Sequence, residues 1–392
     1  VGVKTNRARR ARPAFAAAVI ASSVGMLAGC GGGEGGRNIE GSGSTFAQGA
    51  FETWCSQTDD CAYRAVGSSG GIRELIDQEV DFAGSDVAMS TAEQEQLAAE
   101  GGDVAPAGSA AIQVPALVGA VSVPTNISGV DYETQRPRLT GSTLARIFAG
   151  EVTSWSDGEI AADNPGLALP DAEIILCVRG EGSGTTAVFT SYLTQVYPEF
   201  GGLVGASALP DWPGEATVVE AEGNVGVGEC VRDEENAIGY VDLSDAVAIF
   251  SGDATSTDVN QIAEIGAEDG DQVEFVAPSL ESIEAAGTVS VLPNEPLTTF
   301  QRRLVGADVP GAYPIAATTF ILIHDRYASR ETCDTVVDTV RFALSDEGQA
   351  SLAETLYAPV GPSIRERGLA EVDGVVDADG EGCGSDDGGS AG

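Results

Sequence analysis

The eight residues Arg179 to Thr186, RGEGSGTT, are the part of the chain best suited to holding a small anion. The apolar run Ile174, Ile175, Leu176, Cys177 and Val178 before them predicts a buried strand. AVFTSYLTQVYPEF after them predicts a helix with Val188, Phe189, Tyr192, Leu193 and Val196 on one broad face. A strand, a Gly/Ser/Thr turn and a helix start leave several backbone N–H groups unpaired and pointing the same way. Together with the guanidinium of Arg179 and the hydroxyls of Ser183, Thr185 and Thr186, they form a seat for an oxyanion. The same pattern also suits an ordinary tight turn with Ser183 or Thr185 as the helix cap.

Two earlier turns repeat the theme. GSGST (Gly41 to Thr45) and GSSGG (Gly67 to Gly71) each combine glycine, hydroxyls and a helix start. After the first, Phe46, Ala50 and Trp54 share a helical face; Ala62 to Val66 reads as a strand running into the second. A helix through Ile72, Leu75 and Ile76 follows, then a short strand Val80 to Ala83 and the turn Gly84-Ser85-Asp86. This is α/β alternation, and in open α/β sheets ligands gather at the carboxyl ends of the strands. Converging on one ion, three such turns would offer about 0.3–1 kcal/mol per helix terminus. Each hydrogen bond to the charge would add about 1.5–3 kcal/mol.

Other chemistries fit less well. GSSGG satisfies the G-x-S-x-G nucleophile elbow, so a secreted α/β hydrolase or phosphatase using Ser69 or Ser183 is the alternative reading. Its base would have to be His324, the single His of the chain, which sits in the apolar run FILIHD as a packed residue would. Asp377, Asp379 and Glu381 resemble part of a calcium loop, but the twelfth position is Gly388 in place of a bidentate Glu. Lys4 is the only lysine, which excludes a Walker A phosphate loop, and no CxxC pair suggests zinc. Neither a metal nor a cofactor is expected.

At 392 residues the chain is long enough for two domains. Residues 1–29 hold Lys4, Arg7, Arg9, Arg10 and Arg12 and no acid, so the remainder carries 15 Arg against 60 acids, a net charge of −45. Such a surface repels nucleic acid and anionic lipid, and a lysine-free acidic surface suits a salty medium. The N-terminus reads as a targeting segment, with a basic stretch to Arg12 and fourteen apolar residues, Ala14 to Leu27, too few to span a bilayer. It ends in Leu27-Ala28-Gly29-Cys30, which resembles the lipobox of bacterial lipoproteins and implies lipidation of Cys30. GGGEGG after it reads as a tether, 30–37. Six cysteines remain in an exported chain, which suggests disulfides. Fifteen pairings are possible; sequence proximity alone favours Cys55–Cys61, Cys177–Cys230 and Cys333–Cys383.

Farther along, Ala110 to Val123 reads as a long strand passing from one domain to another, and Thr140 to Gly150 as a short helix with Ser142 near its cap. Ala237 to Leu243 reads as a strand, Thr318 to His324 as another, and Cys333 to Leu344 and Asp346 to Leu356 as helices. Ser251 to Pro314 is acidic, broken by Gly and Pro, and yields no assignable elements. The acidic tail 373–392 is expected to be disordered apart from a tether at Cys383.

GSGSTF…W, GSSGGI…VDFAGSD, TGSTLARIFAGEVTSW, RGEGSGTTAVFTSYL and YPIAATTFILIH, in that order, resemble the phosphate-specific substrate-binding proteins of bacterial ABC transporters. The resemblance implies an α/β, two-lobed periplasmic-binding-protein (type II) fold with two hinge-crossing strands. Lobe I would comprise 38–118 and 316–372, and lobe II 119–315. It implies a lipid-anchored, extracytoplasmic, monomeric receptor without catalysis that passes inorganic phosphate to an ABC permease, with the same fold tuned to another oxyanion as a variant reading. The family's phosphate ligands fall here on Thr45, Phe46, Ser68, Asp86, Arg179, Ser183, Gly184 and Thr185. Two departures from the family pattern are Glu181, where Asp is common, and Ala47, where Pro is common. Among donors, Asp86 is the exception. A carboxylate about 4 Å from an anion costs roughly 4 kcal/mol at an effective dielectric near 20. Asp86 is therefore expected to admit only an anion carrying a proton to donate, phosphate or arsenate and not sulfate.

Overall fold

Ile39–Gly43, Cys61–Ala65 and Phe82–Ser85 are strands separated by the helices Gln48–Gln57 and Ser68–Ile76, with a Gly/Ser turn wherever a strand hands over to a helix. The computed structural model describes residues 38–58, 60–251, 259–269 and 272–384; the N-terminal targeting stretch, the tether and Cys30 lie outside the described residues. The three strands are parallel with Ile39–Gly43 in the middle, so their carboxyl ends and both helix starts share one edge. Phe51 stacks on Tyr63 at 4.2 Å, and Trp54 donates its indole N–H to the Gly348 carbonyl at 2.9 Å, which ties the first helix to the C-terminal part of the chain.

The large sheet continues with Ala316–His324 and Ala111–Ser122, and ends at Val241–Asp242; Ala358–Pro359 also pairs with Ala111–Ser122. The two long strands are apolar and almost entirely buried, as central strands covered on both faces must be. A four-stranded sheet holds Thr125–Asn126, Ala237–Gly239, Ile175–Arg179 and Thr217–Ala221. A three-stranded sheet holds Gln272–Val276, Glu264–Asp269 and Arg138–Thr140. The architecture is two-lobed α/β, with Ala111–Ser122 leaving the large sheet to enter the four-stranded one at Thr125.

Several expectations change. The run Ala237 to Leu243 is divided at Tyr240: Ala237–Gly239 joins the four-stranded sheet and Val241–Asp242 the large one, because the chain passes between lobes there. The helix Gly141–Phe148 is capped by Thr140, whose side chain accepts from the Thr143 amide, with Ser142 near the cap as expected. The second C-terminal helix is α-helical only over Asp346–Ala350, tightens to 3-10 over Ser351–Thr355 and stops at left-handed Leu356. The unassigned acidic region contains the hairpin Glu264–Asp269/Gln272–Val276 and the helices Leu280–Gly287 and Thr299–Leu304.

The acidic tail, expected to be disordered, is packed as far as Gly384. Val376 bridges Arg326 and Gly382, Val375 is buried, and Asp377 accepts from the Asp379 and Glu381 amides while facing Arg330. Apolar Val375 and Val376 supply the burial that composition alone concealed. The disulfides pair as sequence proximity suggested: Cys55–Cys61, Cys177–Cys230 and Cys333–Cys383.

His324 closes its strand fully buried, edge-on to Tyr327, and among the described residues neither ring nitrogen has a hydrogen-bond partner. Burial pushes its pKa down from 6.5 to about 4. Between those values the unfolded chain binds a proton that the folded chain refuses, so stability falls as pH drops through this window. The expected loss is about 3 kcal/mol once the window is crossed. In denaturant unfolding at pH 7.5 and 4.5, His324→Leu should lose about 2.5 kcal/mol less than the wild type does. Equal losses in the two proteins would show that this ring does not carry the effect.

Candidate anion-binding site

The turns that looked alike in sequence meet in space. Gly67 holds φ at +82°, a conformation open to glycine, and so starts the helix Ser68–Ile76 with Ser68 facing the end of the strand Phe82–Ser85. Ser68 is 1% exposed and donates to Asp86 Oδ2 at 3.0 Å; the Asp86 amide donates back to Ser68 Oγ at 3.1 Å. Asp86 Oδ1 accepts from Ser44 at 2.6 Å and from Thr319 at 2.7 Å. The Thr319 contact depends on a bulge: Thr319 pairs with Leu117 but Phe320 pairs with Pro115, and the shift turns the threonine onto the carboxylate.

From the other lobe, the strand Ile175–Arg179 ends in the buried Arg179 and the helix Gly184–Val196 begins five residues on. Ser183 caps that helix, accepting from the Thr186 amide at 3.2 Å, which leaves its hydroxyl proton free for a ligand. The cap reading and the anion-seat reading are thus compatible. Gly184 lies close against the other lobe: a Cβ there would lie 2.3 Å from Ser68 Oγ and 2.6 Å from Asp86 Oδ2. Arg179 Nη1 donates to Thr45 Oγ1 at 3.1 Å, linking it to the first turn. Its Nε donates to Glu181 Oε1 at 2.6 Å and its Nη2 is ion-paired with the same oxygen. Glu181 also accepts from the Gly223 amide at 3.1 Å, so its longer arm holds the Arg from behind.

Thr45, Phe46, Ser68, Asp86, Arg179, Ser183, Gly184 and Thr185 therefore sit at the facing ends of strands and helices from both lobes. Phe46 and Ala47 are buried behind the first turn, and the Phe46 carbonyl accepts from Tyr357. Burial raises the Asp86 pKa, opposed by hydrogen bonds from Ser44, Thr319 and Ser68 and by the charge of Arg179. Tyr240 accepts from the Arg179 amide at 3.1 Å and bonds Thr186 at 2.8 Å; burial pushes its pKa up to about 12. Ser44, Thr319, Tyr240 and Asn224 were not singled out from sequence. Ser44 lies in GSGST and Thr319 in YPIAATTFILIH; Tyr240 and Asn224 carry no local signal.

The seat presents one guanidinium, several hydroxyls and helix-start amides, and one acceptor-only carboxylate; Arg179, Asp86, Ser68, Ser183 and Thr185 are buried and Thr45 is half-buried. That arrangement suits a tetrahedral anion bearing a proton.

Residues 29–347 match the family described as PBP superfamily domain. The phosphate-binding protein PstS of Xylella fastidiosa (strain 9a5c) is 30% identical over 331 residues, covering 83% of this chain and 82% of the relative. The phosphate-binding protein PstS of Haemophilus influenzae (strain ATCC 51907 / DSM 11121 / KW20 / Rd) is 30% identical over 344 residues, 83% of this chain and 90% of the relative. A solved high-affinity periplasmic phosphate-binding protein with bound phosphate has the same fold, with a TM-score of 0.65 at 23% identity over 85% of this chain and 93% of that one. A solved DING protein gives a TM-score of 0.69 at 22% identity with the same coverage. The chain belongs to the PBP superfamily and, within it, to the family of PstS phosphate-binding proteins.

Proposed function

We propose that the protein is an extracytoplasmic receptor that binds inorganic phosphate between its lobes and delivers it to the permease of an ABC importer. The relatives named as PstS support the ligand and the transport role. The lipobox-like Leu27-Ala28-Gly29-Cys30 supports anchoring of a monomeric receptor through lipid on Cys30. Lobe I is read as 38–118 with 316–372 and lobe II as 119–315; the four-stranded and three-stranded sheets, which lie wholly within 119–315, support this division, while 119–122 and 241–242 stay paired in the large sheet. Thr45, Ser183 and the amides of Phe46, Gly184 and Thr185 would donate to the phosphate oxygens; Ser68, whose proton goes to Asp86 in this structure, would turn it to the phosphate as Asp86 accepts the phosphate proton in its place, and Arg179 would balance the charge.

The single observation that carries this reading is the pairing of Arg179 and Asp86 around one buried, hydroxyl-lined seat. The hydrolase alternative lacks its base, because His324 hydrogen-bonds to neither Ser69 nor Ser183. Calorimetric titration of the purified protein tests the proposal. Phosphate should bind at micromolar or lower concentration and sulfate should give no heat of binding; equal binding of the two anions would refute the role of Asp86, and no phosphate binding would refute the receptor.

A further inference from the structure

Asn224 opens the helix Gly223–Asp233, which packs on the strand Ile175–Arg179, and its side chain is 1% exposed. Its Nδ2 points at two site hydroxyls, Thr45 Oγ1 at 3.2 Å and Thr185 Oγ1 at 3.5 Å. Its Oδ1 is buried with no hydrogen-bond partner among the described residues. Thr45 belongs to the opposite lobe and already receives Arg179 Nη1 at 3.1 Å. A hydroxyl has two lone pairs and one proton. With both lone pairs occupied by N–H donors from the facing lobe, Thr45 has only its proton left to offer.

We propose that Asn224 is a positioning residue for the phosphate seat: with Arg179 it makes Thr45 an obligate donor toward the anion, and it does so only when the lobes are closed. The proposal rests on the receptor reading above. Asn is required at this place because it offers a neutral donor. A carboxylate of the same shape would draw the Thr45 proton to itself and set a second negative charge beside the ligand. The contact joins residues from different lobes, so it forms after encounter and holds the closed complex together. It therefore acts on the dissociation rate and not on the association rate.

The test is phosphate binding by stopped-flow fluorescence and calorimetry in wild type, Asn224→Ala, Asn224→Asp, Thr45→Ala and the Thr45→Ala/Asn224→Ala double variant. Asn224→Ala should speed dissociation about tenfold and leave association within about twofold. Asn224→Asp, although it keeps the volume, should bind more weakly than Asn224→Ala, an order opposite to that expected of a packing residue. In the Thr45→Ala background, adding Asn224→Ala should change affinity less than about twofold. An Asp variant that binds as tightly as wild type would mean that the amide oxygen faces Thr45, and would overturn the proposal. So would an Ala variant weaker than Asp, or the same loss with and without Thr45. A wild type that takes no phosphate overturns the receptor reading and this role with it; the other failures overturn this role alone.

Discussion

Asp86→Asn is expected to let sulfate into a seat whose wild-type carboxylate is proposed to take phosphate and reject sulfate. The carboxylate is 1% exposed and cannot be screened by water. Three hydroxyls, those of Ser44, Ser68 and Thr319, donate to it and fix its position. A Cβ on Gly184 would lie 2.6 Å from its Oδ2, so the start of the helix Gly184–Val196 closes directly against this oxygen. A fully ionised tetrahedral anion there sets two acceptors face to face, at roughly 4 kcal/mol for charges about 4 Å apart. Phosphate near neutral pH places its proton between the oxygens and turns the repulsion into a hydrogen bond. The amide of Asn supplies its own N–H, so the phosphate-to-sulfate affinity ratio should drop by roughly two to three orders of magnitude. A pH dependence follows with a definite sign. The Asp86 pKa lies above the ordinary carboxylate value because burial outweighs its hydrogen bonds. As pH falls toward that raised value the wild-type carboxyl takes up a proton, becomes a donor and should begin to accept sulfate; Asp86→Asn should show no such onset. Calorimetry with both anions across pH decides this, and a variant that excludes sulfate as strictly as the wild type would remove Asp86 from the filter.

What the sequence disclosed and what it withheld separate along a physical line. Arg179 and Ser183 stood out because strand end, glycine turn and helix start are contiguous, and the donors created at that junction are local facts; Ser68 and Asp86 were picked out only by the resemblance to the phosphate-binding family. Thr319 did not stand out, since its position reads as part of an apolar strand. Its contact with Asp86 comes from a bulge in pairing with Leu117 and Pro115, some two hundred residues earlier. Asn224 follows a Glu-Gly turn with no periodic or motif signal, and reaches Thr45 only through closure of two lobes. Tyr240 marks the same limit in the fold: an unbroken β-like run is cut there because its halves belong to different sheets. The hairpin at 264–276 escaped notice because strand propensity is a matter of context: Glu264 and Gly266 are held by pairing with Arg138–Thr140. In the tail, acidic composition outweighed Val375 and Val376 in the reading, although those two residues, with Cys383, anchor it.

Gly184→Ala should weaken phosphate binding by roughly one to two orders of magnitude while leaving the ligand-free protein as stable as before, or more so. Gly184 is the first residue of its helix, follows the Ser183 cap and does not have positive φ, so alanine fits its backbone. Within its own lobe the substitution replaces a poor helix former with a good one. The conflict lies across the cleft, where the new methyl would meet Ser68 Oγ at 2.3 Å and Asp86 Oδ2 at 2.6 Å, separations that no side-chain carbon can hold. Relief requires the lobes to stay apart or the carboxylate to leave its three hydroxyl donors, and overpacking of this kind costs about 1–3 kcal/mol. That cost falls only on the closed form, so it appears in the affinity and not in the melting temperature measured without phosphate. Serine at the same position should behave like alanine, because the obstruction is the Cβ itself. Thermal unfolding with and without phosphate reads both quantities in one experiment: the ligand-induced rise in melting temperature should shrink while the ligand-free value holds. A variant with an undiminished phosphate-induced shift would mean that the two lobes do not close at Gly184 when the anion binds.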